Sequence, residues 1–69
     1  MIEIFSERLK ELRKERNISA KQLSKAINVS DAAIIRWENK QRIPSMENIY
    51  KIAIYFGVSA DYLLGLKDY

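Results

Sequence analysis

The chain has 69 residues, 48% of them hydrophobic and 30% charged, with no cysteine and no histidine. That composition bounds it to one small domain spanning 1–69, with no disulfide, no cysteine-based metal site, and neither the commonest general base nor the commonest zinc ligand. The net charge of +3 is unevenly spread: residues 1–42 carry ten Lys/Arg against six Asp/Glu, and residues 43–69 carry two against three, so the front half invites an anionic partner or is simply a solvated surface.

The opening Met-Ile-Glu-Ile-Phe lacks the basic segment and long apolar stretch of a signal peptide, and no apolar run approaches the ~20 residues that span a bilayer. The expectation is a cytoplasmic protein with no membrane partner. The first element, helix α1, is predicted over Ile2–Arg16: Ile2, Phe5, Leu9 and Leu12 recur on one face, and acidic and basic residues interleave on the other. Asn17, tolerant of left-handed geometry, ends it. Ser19 followed by Gln22 is a capping-box pattern that starts helix α2, Ala20–Ile27. Asn28 is the next stop, Val29 an apolar plug, and Ser30 the cap of helix α3, predicted over Asp31–Asn39 with Ala33, Ile34 and Trp37 facing inward. Gln41–Pro44 is a loop, because the residue before proline is pushed out of the helical region. Ser45 caps helix α4, Met46–Phe56, with Ile49, Ile52, Ala53 and Phe56 at helical spacing and Gly57 as its stop. Ser59 caps a short helix α5, Ala60–Leu64, before Gly65. The fold class is therefore all-α with five helices.

The pair α2–α3 carries the functional signal. Two short helices meet through Ile27-Asn28-Val29-Ser30, with the small Ser24 where a close crossing is needed and Asn28 where left-handed geometry is needed. This spacing, over residues 20–39, is that of a helix-turn-helix or of an ordinary helical hairpin. In the first case the turn holds α3 proud enough to enter a DNA major groove.

Several motifs in order decide between the two. Leu9-Lys10-Glu11-Leu12-Arg13, Ile18-Ser19 with Gln22-Leu23, Val29-Ser30 with Ile34 and Trp37-Glu38-Asn39, Pro44-Ser45, and Phe56-Gly57-Val58-Ser59-Ala60-Asp61-Tyr62-Leu63-Leu64-Gly65 follow one another along nearly the whole chain. In this they resemble the phage-repressor-like helix-turn-helix family, the XRE-type group that includes lambda-type repressors and Cro proteins. The resemblance implies a lambda-repressor-like DNA-binding domain, and the absence of histidine and cysteine from so small a chain already argues against an enzyme. The resemblance also implies that Arg13 and Glu38 form a structural ion pair, and that a symmetric dimer forms near the α4–α5 junction. The chain departs from the family at Ala20, where Gln is frequent and helps hold phosphate, at Lys40, where Gly is common, and at Asn28 in place of the turn Gly.

The outward residues of α3 are Asp31, Ala32, Ile35, Arg36 and Asn39. Arg36 suits bidentate pairing with guanine O6 and N7, or else a phosphate or surface ion pair. Ala32 and Ile35 could meet thymine methyl groups, with edge-of-core packing as the alternative for Ile35. Asp31 could accept from cytosine N4 or serve the helix terminus. Ser19, Lys21, Asn39, Lys40 and Arg42 border the motif and are the expected phosphate contacts. Arg8, Lys10, Lys14 and Arg16 read as solvated. Tyr50, Ile54, Tyr55, Tyr62, Leu66 and Tyr69 exceed what one small core can hide, and Ile54, Tyr62 and Leu66 are the expected dimer interface.

The expected function is a sequence-specific regulator of transcription. Its simplest form is a repressor that binds duplex DNA as a homodimer on a near-palindromic operator. The alternative is an antitoxin or protein-interaction module. No cofactor, metal or small-molecule ligand is expected, since 69 residues leave no room for a ligand-sensing module.

Overall fold

The computed structural model describes residues 1–69. Five helices follow one another with no strand: α1 Ile2–Arg16, α2 Ala20–Ile27, α3 Asp31–Glu38, α4 Met46–Phe56 and α5 Ala60–Leu64. The helix bounds differ from the sequence reading only in α3, which stops at Glu38, one residue early, because Asn39 leaves helical geometry as its C-cap.

The boundaries are set by local chemistry. The hydroxyls of Ser19, Ser30, Ser45 and Ser59 each accept from the backbone N–H three residues on, closing the amino ends of α2 to α5. The Gln22 side chain accepts in return from the Ser19 N–H at 2.7 Å, completing a capping box. Asn17, Asn28, Gly57 and Gly65 take left-handed geometry after α1, α2, α4 and α5. Asparagine does this at the first two positions because its short amide tolerates positive φ better than most side chains.

The helices enclose one core. Phe5, Leu9 and Leu12 of α1 meet Leu23 and Ile27 of α2, Ile34 and Trp37 of α3, Ile52 and Phe56 of α4, and Leu63 of α5. The Phe5 and Trp37 rings meet edge to face, 6.3 Å between centroids. Trp37 is thus a core residue. Beside it the buried Ser6 hydroxyl donates to the Trp37 carbonyl, satisfying one of the open acceptors at the end of α3.

Glu38 is also buried, and a buried carboxylate needs a partner. Arg13 provides it through two parallel bonds, Nε to Oε2 at 2.5 Å and Nη2 to Oε1 at 2.7 Å, and donates a third to the Ile18 carbonyl at 3.0 Å. The Glu38 hydrogen bonds hold the Arg13 guanidinium above its ordinary pKa.

Two arginines expected in solvent are structural instead. Arg8 donates to the carbonyls of Tyr62 and Lys67, lies 3.6 Å from the Asp68 carboxylate, and stacks 4.3 Å above the Tyr62 ring. Arg16 donates to the Phe56 carbonyl at 2.5 Å and covers the Phe56 ring. Each closes the open carbonyl end of a distant helix with a charge that suits that end of the dipole. Lys10 and Lys14 remain exposed and unpaired.

The Arg13 pair predicts a stability signature. Arg13→Ala strands the Glu38 carboxylate and should cost roughly 3 kcal/mol, the lower end for breaking a buried pair because Arg13 keeps some solvent contact. Lys10→Ala, on the same helix, should stay within about 0.5 kcal/mol. Thermal melts of the two variants check this, and equal melting temperatures would refute it.

Candidate nucleic-acid interface

Helices α2 and α3 cross closely because the residue at the crossing, Ser24, is small and only 2% exposed. The turn between them places Asn28 at φ 58° and seats Val29 against the core. A residue of ordinary geometry at 28 would carry the chain on past the crossing. Helix α3 therefore has a determined orientation, with Ala33, Ile34, Trp37 and Glu38 buried and Asp31, Ala32, Ile35 and Arg36 outward.

Among the outward residues, Ile35 is 50% exposed, which removes edge-of-core packing as its role. Ala32 and Arg36 stand beside it in solvent. The ion pairs of the structure are the amino terminus with Glu3, Arg8 with Asp68, Arg13 with Glu38, and Lys67 with Asp61. None uses Arg36, Lys21, Lys40 or Arg42; Arg36, Lys21 and Arg42 are exposed and uncommitted, and Lys40 is exposed and near enough to Glu3 for its charge to act on that carboxylate. Asp31 differs from its neighbours: its carboxylate accepts from the Ser24 hydroxyl across the helix crossing. The carboxylate expected to face a base is thus engaged within the motif.

The bordering residues surround this face in the chain. Ser19 has its hydroxyl and N–H occupied by the capping box, so the anion-binding capacity of this terminus rests on the other open N–H groups of α2. Asn39 caps α3, and Lys40 follows at φ 63°. Its left-handed geometry lets the Gln41 N–H reach the Arg36 carbonyl at 2.9 Å, closing the end of α3. Arg42 lies beside Ser30 and Ser45 in a polar depression between the amino ends of α3 and α4.

A second outward surface, along α4 and the segment after α5, is apolar. Ile54 and Leu66 are 65% and 72% exposed, as an interface residue would be. Tyr62 is only partly exposed: its ring packs against the core beneath the Arg8 guanidinium. A groove missed at the sequence level runs along α4 between Met46, Ile49, Ala53, Val58 and Leu64. Met46, 86% exposed, was the legible signal, an apolar residue in the first turn of α4 with no inward partner to bury it.

Comparisons with known proteins agree with this geometry. The sequence model of the family described as helix-turn-helix matches residues 9–63. The chain is 38% identical to the transcriptional activator BcrR of Enterococcus faecalis over 93% of its own length and 31% of that protein. It is 34% identical to the repressor protein C2 of Salmonella phage P22 over 90% of its length and 29% of that protein. Its fold is similar to the P22 c2 repressor in a crystal structure with a synthetic operator, with a TM-score of 0.83, 33% identity, and coverage of 87% of this chain and 91% of that one. The chain thus spans about a third of the length of these two sequence relatives.

Lys40 provides a test of the local backbone. A left-handed conformation costs an ordinary residue about 1–2 kcal/mol, partly offset by the greater unfolded-state freedom of glycine. Lys40→Gly should therefore stabilise the domain by about 0.5–1 kcal/mol and raise its melting temperature by about 3–6 °C. A lowered melting temperature would show that the lysine side chain outweighs its backbone cost.

Proposed function

The chain belongs to the XRE-type helix-turn-helix family of DNA-binding transcription regulators related to phage repressors, and from that premise we propose that it reads a specific duplex site with α3 in the major groove and represses transcription by occupying a near-palindromic operator as a homodimer. The observation that carries this reading is the outward face of α3. Ala32, Ile35 and Arg36 project from a helix whose other face is locked in the core, and none of them is used elsewhere in the fold. Arg36 fits guanine O6 and N7, and the two apolar groups fit thymine methyls. Lys21, Asn39, Lys40, Arg42 and the amino end of α2 at Ser19 are the phosphate contacts that set register. The similarity to a repressor determined with its operator supports the same docking.

Dimer formation is supported by the apolar surface at Ile54 and Leu66 and by the α4 groove beside them. Two copies related by a twofold axis would present their α3 helices to successive major grooves about 34 Å apart. No helix is long and apolar enough to cross a membrane, in keeping with a regulator acting in the cytoplasm. The same apolar groove also favours a second reading, an antitoxin or interaction module that covers a protein partner and binds DNA secondarily.

Selection of bound sites from random duplexes tests the main reading, with a near-palindromic consensus as the expected result. On the selected operator, Arg36→Ala should cost about 1–3 kcal/mol per half-site and shrink the operator-to-random ratio. Lys40→Ala should weaken operator and random DNA alike and lower the salt slope by about one unit for each phosphate it no longer neutralises. Affinities of both variants for both duplexes at several salt concentrations separate the two roles, and an unchanged ratio for Arg36→Ala would make it a backbone contact. A wild-type chain with no salt-dependent affinity for DNA would favour the interaction module. Ile54→Asp should shift the sedimenting species from dimer to monomer with helix content retained, and an unchanged dimer would place the interface elsewhere.

A further inference from the structure

The hydrogen bond between Ser24 and Asp31 joins the two helices of the motif across their crossing. Ser24 belongs to α2 and is buried at the crossing, whereas Asp31 is the first residue of α3 and is exposed. The Ser24 hydroxyl sits 2.8 Å from the Lys21 carbonyl of its own helix and donates to Oδ1 of Asp31. It is thus held between the two helices. The amino end of α3 is already capped by Ser30, whose hydroxyl accepts from the Ala33 N–H at 3.1 Å. The Asp31 carboxylate is therefore not needed as a cap, and no Lys or Arg pairs with it.

We propose that Ser24 and Asp31 form a pin that fixes the roll of the recognition helix on α2, making them positioning residues for base reading, and that Asp31 itself reads no base. This rests on the DNA-binding reading above. The other α2–α3 contacts are apolar, through Leu23, Ile27, Ala33 and Ile34. Apolar packing is non-directional and tolerates small rotations, while a hydrogen bond has a narrow preferred geometry. Glu38 and the Ser6 bond anchor the far end of α3, so a second polar anchor at its amino end determines the roll. A small roll moves the outward groups across the groove floor, where base recognition depends on sub-ångström placement. The reading surface is then Ala32, Ile35 and Arg36.

The test compares wild type, Ser24→Ala, Asp31→Ala, Asp31→Asn and the Ser24→Ala/Asp31→Ala double variant on the selected operator and on random duplex, with circular dichroism confirming helix content. Ser24 lies in the crossing and reads no base, so a merely structural or a base-reading role for Asp31 leaves specificity unchanged in Ser24→Ala. The pin predicts that Ser24→Ala and Asp31→Ala each reduce the operator-to-random ratio by about five- to tenfold, and that the double variant loses no more than either single one. Asp31→Asn, which keeps an acceptor oxygen, should hold the ratio near wild type. Loss confined to Asp31→Ala and to one base pair would make Asp31 a base reader and overturn the pin. Unchanged ratios in both single variants, additive losses, or a loss in Asp31→Asn equal to that in Asp31→Ala would overturn it as well. A wild-type chain that selects no site overturns the DNA-binding reading itself, and the role of the pin with it.

Discussion

The Arg13–Glu38 pair is the constraint on which the rest of the arrangement depends. Glu38 is the last residue of α3 and is buried, so its charge must be answered inside the protein. The fork geometry of arginine answers it with two bonds and leaves a third donor for the Ile18 carbonyl. One side chain of α1 thereby ties together the end of the recognition helix and the segment leading into α2. Lysine could not do the same, because a point charge lacks the paired donors. The pair is not the main source of stability, which lies in the apolar core. Its effect is to anchor the carboxyl end of α3 on α1.

The same economy of polar side chains recurs at the rear of the domain. A short helix leaves four carbonyls open at its end, and a chain of this size has little structure with which to cover them. Arg16 reaches the end of α4, and Arg8 the end of α5 and the segment beyond it. Both rings beneath them, Phe56 and Tyr62, are shielded by the guanidinium stems. Three of the cations of α1 are thus consumed in holding the fold. Those bordering the helix-turn-helix, Lys21, Arg36, Lys40 and Arg42, are not. The uneven charge of the sequence understates this separation, since it counts structural and free cations alike.

The two outward surfaces differ in kind. The α3 face combines uncommitted cations with small and branched apolar groups, a mixture suited to phosphates and base edges. The α4 face is a groove with exposed apolar residues along it and few charges. Such a surface stays in water only at a cost and is relieved by association.

Local chemistry by itself determined the helices. Ser19, Ser30, Ser45 and Ser59 as caps, with Asn17, Asn28, Gly57 and Gly65 as stops, act within three or four residues, and such short-range signals survive in the linear order of the chain. The inward and outward faces of α3 were legible for the same reason, since helical periodicity assigns them. The family resemblance supplied the partner of Glu38, which spacing alone would not have identified. Only the tertiary structure decided what Arg8, Arg16, Asp31 and Tyr62 contact. Each has a partner seven or more residues away, brought near by how the helices cross. A charged or aromatic residue on an outward face reads as solvated until the neighbouring helix is placed. Whether it clamps, pins or stays free depends on distances that no local pattern encodes.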